Sequence, residues 1–317
     1  QPGSFFHLTE VFGPVLGLMR AENLEEAIEM QNATEFGLTG GIQSLDVDEV
    51  REWVDKVQVG NVYVNRGITG AIVQRQSFGG WKKSSVGLGS KAGGPNYVML
   101  MGQWADKPAA NAPTKSSPLI NKWTTVLSPD DITWLEQSNA SDGLAWNTEF
   151  GTPRDPSGLR AEANIFRYRP ATMVLRIAAD AQAREVARLV LAARRAGSDL
   201  RVMAGPGISS EVREVVELAS ISIETVDDAV FITNLLRGDY DDGAGARVRV
   251  VGSATGFQRE RLSVRPEVAL LDAPVTSSGR VELRNWLKEQ ALSITLHRFG
   301  NRSDAFHKLA KELKQKI

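Results

Sequence analysis

Apolar positions along the chain recur with two periods, and the alternation between them predicts the elements. Val15-Leu16-Gly17-Leu18-Met19 is a short apolar run that reads as a strand. Asn23, with Glu26 three residues on, is close to a capping box and predicts a helix with Leu24, Ala27 and Ile28 on one face. Gly40 to Leu45 reads as a second strand. Asp46 with Glu49 opens a second helix, in which Val47, Val50, Val54 and Val57 return at helical spacing. Asn61 to Asn65 alternates Val-Tyr-Val and predicts a third strand. Tyr97-Val98-Met99-Leu100-Met101, after Gly93-Gly94-Pro95, predicts a fourth.

The alternation is stronger after Pro170. Strands are predicted at Met173 to Ile177, Leu200 to Ala204, Ile221 to Ile223, Val248 to Val251 and Val268 to Leu271. Helices fall between them at Ala181 to Ala196, about Ser210 to Ala219, and Val226 to Leu236, with Gly197 suited to a left-handed C-terminal cap. Apolar strands separated by amphipathic helices predict a parallel sheet covered on both faces. The stretch from about Ser138 to Pro170 is rich in Gly, Pro, Asn and Asp and reads as irregular. Lys107 to Pro118 carries three prolines and no large apolar side chain, the composition of an exposed linker. The expected organisation is therefore residues 1–106, a linker at 107–118, and a Rossmann-like α/β unit at 119–317.

Composition changes this picture little. Of the 317 residues 42% are hydrophobic and 24% charged, enough for buried cores throughout. A net charge of −1 and a pI near 6.4 argue against a nucleic-acid surface. With no cysteine there is neither disulfide nor thiolate metal site, and His7, His297 and His307 are too scattered for a metal cage. No run approaches the roughly 18 apolar residues of a membrane span. Gln1-Pro2-Gly3-Ser4 has no signal-peptide character, and so abrupt a start reads as a truncation or a cut. A cytoplasmic protein is the expectation.

The candidate chemistry lies in four blocks. They are Glu10-Val11-Phe12-Gly13-Pro14-Val15, Phe36-Gly37-Leu38-Thr39-Gly40-Gly41, Gly60-Asn61-Val62-Tyr63-Val64-Asn65 and Gln76-Ser77-Phe78-Gly79-Gly80. A carboxylate at Glu10 can accept two hydrogen bonds from a ribose diol, and Phe12 can pack on a sugar or nicotinamide face. Alone, that run equally fits a surface Glu and a core Phe beside a turn. In this order and at about this spacing, the four blocks resemble the aldehyde dehydrogenases. The resemblance implies NAD as cofactor, with Glu10 and Phe12 bracketing the nicotinamide ribose. The family's cysteine nucleophile and general-base Glu would lie upstream of Glu10, so no catalytic residue is expected in this chain.

Thr69-Gly70-Ala71, followed by Phe78-Gly79-Gly80, narrows the resemblance to the L-glutamate γ-semialdehyde (Δ1-pyrroline-5-carboxylate) dehydrogenases. Loop amides at Gly70 and Ala71 would hold a substrate α-carboxylate, and Phe78 would pack on its aliphatic stem. A glycine-rich turn with a buried Phe is the plainer reading of the same residues. Lys91-Ala92-Gly93-Gly94-Pro95-Asn96-Tyr97 resembles the same branch's Lys-x-Gly-Gly-Pro-His-Tyr segment, with Asn96 in place of His, and the strand after it resembles an oligomerisation region. Asn164 to Pro170, Gly279 to Leu283 and His297 to Asn301 resemble the C-terminal domain of long proline utilization A enzymes. There, FAD belongs to a separate proline dehydrogenase module. The chain is thus expected to be a partial aldehyde dehydrogenase catalytic domain followed by a degenerate Rossmann-like domain, and inactive by itself. Its partners would be the remainder of the parent enzyme, a small-molecule substrate and, in a homo-oligomer, further copies. The alternatives are a non-catalytic assembly and tunnel-lid module, or an aldehyde dehydrogenase of other specificity. Three other features read as structural: the strand-end turns Val251 to Gly256 and Gly205-Pro206-Gly207, the pair His297-Arg298, and the acidic turn Asp239 to Gly243.

Overall fold

A computed structural model of the chain describes residues 1–106, 117–241, 245–253 and 264–315. Most of the predicted linker, the end of the Val251 to Gly256 turn and part of the acidic turn at 239–243 lie outside the described residues.

The first segment runs α1 (Phe5–Leu8), α2 (Leu24–Asn32), β1 (Phe36–Gly37), β2 (Thr39–Ile42), α3 (Val47–Lys56), β3 (Asn61–Val64), β4 (Trp81–Lys82) and a 3₁₀ turn at Val98–Met101. The caps act as their sequence predicts. Asn23 Oδ1 accepts from Glu26 N at 2.9 Å, and Asp46 Oδ1 accepts from Asp48 N at 2.8 Å. Two predicted strands are absent. Val15 to Met19 is exposed coil, since no neighbouring strand among the described residues offers it a ladder. Tyr97 to Met101 forms the 3₁₀ turn instead, leaving Val98 and Met101 exposed.

The second segment runs α4 (Pro118–Trp123), α5 (Pro129–Ala145), β5 (Glu162–Pro170), β6 (Met173–Ile177), α6 (Ala183–Ala196), β7 (Leu200–Ala204), α7 (Ser210–Leu218), β8 (Ile223–Thr225), α8 (Asp228–Arg237), β9 (Arg247–Val251), β10 (Ala269–Leu271), α9 (Gly279–Asn285), β11 (Leu287–Thr295), the short pair β12 (His297–Arg298) and β13 (Asn301–Arg302), and α10 (Asp304–Glu312). β6 to β10 form the expected parallel sheet in the order β10-β9-β6-β7-β8. The side chains alternate between its two faces. Leu175, Ile177 and Val202 pack with α6 residues such as Val186 and Leu189, whereas Val174, Met203 and Val248 pack with Phe231 and Leu235 of α8. Gly197 closes α6 at φ +67°, as predicted. The stretch from Ser138 to Pro170 is far more regular than expected: α5 extends to Ala145, passes into a π turn at Trp146–Phe150, and is followed by β5.

The second sheet is unexpected. It has the order β2-β3-β11-β5, with β3 parallel to both β2 and β11, and β11 antiparallel to β5 over nine residue pairs. Strands from both sides of residues 107–118 therefore share one ladder. They also share a core, in which Trp53, Val54, Val62 and Val64 meet Ile165, Leu292, Ile294, Phe306 and Leu309.

Candidate functional site

The candidate substrate loop leaves the C-terminal end of β3. Tyr63, buried in that strand, donates its hydroxyl proton to Gly70 O at 3.0 Å. Burial raises its pKa above the ordinary tyrosine value, and the nearby Arg66 guanidinium opposes that. Gly70 takes φ +84° between residues of ordinary hand. Such a left-handed step turns consecutive main-chain amides toward one side, the geometry of an anion-binding concavity. A Cβ there would meet nothing, so glycine is required by the backbone angle rather than by space. Gly70 and Ala71 are both exposed.

Phe78 is held by main chain. Its N–H donates to Ala92 O at 3.0 Å, and its carbonyl accepts from Ala92 N at 2.8 Å. The amide of Asn61, the first residue of β3, straddles it: Nδ2 donates to Ser77 O at 3.1 Å, and Oδ1 accepts from Gly79 N at 3.1 Å. Lys91 Nζ donates to that same Oδ1 at 2.9 Å and to Gly79 O. Gly60 allows this approach, because a Cβ there would lie 2.1 Å from Gly79 O.

Behind the loop lies a polar network reaching across the second segment. Glu289 Oε2 accepts from Lys91 N at 2.7 Å, and Glu289 Oε1 accepts from Asn96 Nδ2 at 2.6 Å. Asn96 Nδ2 also donates to Tyr168 OH at 2.8 Å, and Asn96 Oδ1 accepts from Arg280 at 2.5 Å. Tyr168 donates to Glu149 Oε1 at 2.8 Å, and burial, with Glu149 and Glu289 nearby, raises its pKa far above the ordinary value. Asn96 thus gives two hydrogen bonds and accepts one. A neutral imidazole has one donor and one acceptor and could not replace all three. Gln76 Nε2 and Ser293 Oγ both donate to Asn164 Oδ1, at 3.0 and 2.8 Å, bracing the loop from β5 and β11. A cavity of about 310 Å³ opens here between Arg75 and Ser77 of the loop and Arg154, Phe166 and Tyr168.

The candidate cofactor residues are carried on another stretch of the chain. Glu10 and Phe12 follow α1 on an arm tied to the body by His7 Nε2, 2.8 Å from Met30 O. Both are exposed, Phe12 at 92%, and among the described residues neither hydrogen-bonds to the 69–80 loop. The structure thus holds Gly70, Ala71 and Phe78 in one braced loop and leaves Glu10 and Phe12 on a separate segment. The second segment has its own crevice where the strand order reverses between β6 and β9, the customary ligand position in such sheets. There Asp180 accepts from Ser253 N at 2.8 Å and from its hydroxyl, which holds the carboxyl below its ordinary pKa. A phosphate at that seat would meet an anion. Asn61 and Glu289 were missed as site residues. Asn61 lies in one of the four blocks but was given no role there, and Glu289 carries no local motif.

The aldehyde dehydrogenase family matches residues 1–104. The 1-pyrroline-5-carboxylate dehydrogenase of Bacillus pumilus is 44% identical over 100 residues, 32% of this chain and 19% of that protein. The protein of the same name from Geobacillus is 46% identical over 100 residues, with the same coverage. The chain thus spans about a fifth of these relatives. Proline Utilization A from Corynebacterium freiburgense is similar in structure, with a TM-score of 0.72 and 43% identity, over 95% of this chain and 27% of that one.

Proposed function

From the match of residues 1–104 to the aldehyde dehydrogenase family, we propose that the chain is the C-terminal part of an NAD-dependent L-glutamate γ-semialdehyde dehydrogenase of proline catabolism. The observation that carries this reading is the braced loop: a left-handed Gly70, an exposed Ala71 and a clamped Phe78 on one stretch beyond β3. In this reading the amides at Gly70 and Ala71 bind the substrate α-carboxylate, and Phe78 packs on the methylene stem. That orients the aldehyde toward a thiolate and a general base in the remainder of the parent enzyme. Glu10 and Phe12 are presented to solvent, as residues must be to meet a ribose diol and a nicotinamide face. NAD⁺, when bound, supplies the hydride acceptor. FAD belongs to a separate proline dehydrogenase module. The parent is proposed to be cytoplasmic, and among the described residues no helix is long and apolar enough to cross a membrane. Residues 97–101, with Val98 and Met101 exposed, are proposed to contact further copies.

The experiment is Gly70→Leu in the full-length parent. A side chain at φ +84° costs about 1–2 kcal/mol, so the loop should change conformation rather than clash. KM for the carboxylate-bearing substrate should rise steeply while simple aliphatic aldehydes are little affected. Equal effects on both would favour an aldehyde dehydrogenase of other specificity. The chain alone should reduce no NAD⁺ with pyrroline-5-carboxylate, and turnover by this polypeptide would refute the assignment of the reacting groups. A second role, for 119–317 as a non-catalytic assembly and tunnel-closing unit, is favoured by the bracing of the loop from Asn164, Ser293 and Glu289.

A further inference from the structure

A second cavity, of about 340 Å³, lies between the Gly79 to Lys91 run and the start of β9, and none of the five candidate site residues lines it. Five basic side chains line it, Lys82, Lys91, Arg247, Arg284 and Lys288, each more than nine-tenths buried. The carboxylates in the described lining are Glu267 and Glu289. Both are engaged: Glu267 with Arg265 at 2.8 Å, and Glu289 with Lys91 N, Asn96 and, at 3.3 Å, Arg284.

Two of the cations are incompletely satisfied. Arg284 places its terminal nitrogens on Leu287 O, Gly89 O and Ser90 Oγ, but its Nε is buried without a hydrogen-bond partner. Among the described residues the Lys91 ammonium meets only neutral oxygens, Asn61 Oδ1 and Gly79 O. Burial lowers its pKa to about 7, against the pull of Glu289. Buried cations held this way are stabilised by any counter-anion the cavity admits. The Ser84–Ser90 run borders the Arg284 guanidinium through Gly89 O and Ser90 Oγ, and its Ser84, Ser85 and Gly87 amides donate to Trp81 O, Lys82 O and Pro266 O. In Ser84-Ser85-Val86-Gly87-Leu88-Gly89-Ser90, Gly87 and Gly89 take φ +55° and +63°. Alternation of hand turns main-chain amides toward an anion, and here the amides of Val86, Leu88, Gly89 and Ser90 have no hydrogen-bond partner among the described residues.

We propose that this cavity is a binding site for a phosphate dianion, free or carried as a monoester, held between the Ser84–Ser90 loop and the Arg284 and Lys91 side chains. A dianion can meet both incompletely satisfied cations, Arg284 and Lys91, at once, which a single carboxylate does less well, and the volume leaves room for an organic group beyond the phosphate.

The test is calorimetric titration of the chain with orthophosphate and with glycerol 3-phosphate, in phosphate-free buffer at matched chloride. We expect saturable one-site binding, weakened by at least about tenfold in Arg284→Gln and in Lys91→Met. Repeating the titration at about pH 8.5, where both probes are already dianions, in buffers of different ionisation enthalpy should show proton uptake in the wild type that is lost in Lys91→Met. Tighter binding of the ester would identify a phosphorylated metabolite, and equal binding the free ion. If Arg284→Gln does not fold, Lys91→Met carries the test. Absence of saturable heat with both probes, or undiminished binding by a folded variant, overturns the proposal. Because Gly70 and Phe78 lie outside this cavity, Gly70→Leu should leave phosphate binding unchanged, so this inference and the proposed dehydrogenase role fail separately.

Discussion

Lys91→Met should remove a pH dependence from the stability of the chain. The buried Lys91 amine has its pKa lowered from 10.5 to about 7 by desolvation, with Glu289 opposing the shift. Between those values the unfolded chain binds a proton that the folded chain does not. Stability must therefore rise with pH across the window from about 7 to about 10.5, and below it the cost of the buried ammonium is fully present. The full shift of about 3.5 units corresponds to about 5 kcal/mol, and the part crossed between about pH 6.5 and about pH 9.5 to about 3 kcal/mol. Urea unfolding in phosphate-free buffer, followed by the fluorescence of the buried Trp123 and Trp286, measures it. Other groups titrate alike in both proteins, so the quantity of interest is the difference between them. The wild type should gain about 3 kcal/mol more than Lys91→Met over that range. At low pH the variant gives up the bonds to Asn61 Oδ1 and Gly79 O but is relieved of a buried charge. Parallel pH profiles would show that the fold does not resist protonation of Lys91, and would remove the electrostatic support for an anion seat beside it.

Asp142→Asn breaks a fully buried pair whose two N–H···O bonds to Arg188 are 2.8 and 2.7 Å; it should cost about 3–5 kcal/mol in urea unfolding, and an apolar double replacement of Asp142 and Arg188 should restore much of that. Gly60→Ala drives a Cβ to 2.1 Å from Gly79 O, so Tm should fall by the equivalent of about 1–3 kcal/mol or more, whereas Gly102→Ala, which meets nothing, should be near neutral. Glu10→Gln on the exposed arm should leave stability within about 0.5 kcal/mol. In the full-length parent it should raise KM for NAD⁺, and an unchanged KM would remove Glu10 from the ribose-binding role.

The elements that were legible carry their own local signals. Asn23 and Asp46 announce their helices because capping is a contact between neighbours in sequence, and Gly197 ends its helix by a backbone preference of its own. The parallel strands β6, β7, β9 and β10 read correctly from their apolar residues, although Arg176, Arg247 and Arg249 are buried within them, while β8 falls at Ile223–Thr225 rather than Ile221 to Ile223. β11 does not read so: Lys288, Glu289, Gln290 and Ser293 interrupt it, yet all are buried. Gln290 accepts from Arg167 Nε at 2.9 Å and donates to Val59 O at 3.0 Å. A polar residue can be core when a distant partner satisfies it, and no window of sequence shows the partner. The opposite failure occurs at Val15 to Met19 and Tyr97 to Met101, apolar runs that take no strand partner among the described residues. At the candidate site, the turn at Gly70 follows from glycine's own backbone preference, whereas Phe78 is held by Ala92. Asn61 as the clamp and Glu289 as the anchor of Lys91 and Asn96 were not legible, because each acts across a gap in sequence.

The same sheet changes what a truncation would mean. Removing everything after residue 107 looks, from the sequence, like removing a lid from an otherwise complete catalytic segment. Yet β11 pairs with β3 from Asn61 to Val64, so the cut strips one ladder from the strand that carries Asn61 and Tyr63. It also removes Ile165, Leu292, Ile294, Phe306 and Leu309 from the core that buries Trp53, Val54, Val62 and Val64. Each large apolar side chain so exposed forfeits about 1.5–3 kcal/mol, and several together exceed the net stability of an ordinary domain. Lost transfer of an intermediate in such a truncate would report the collapse of β3 and its loop, whether or not the second segment closes a tunnel. The two roles are separable only by substitutions that leave β3, β5 and β11 paired.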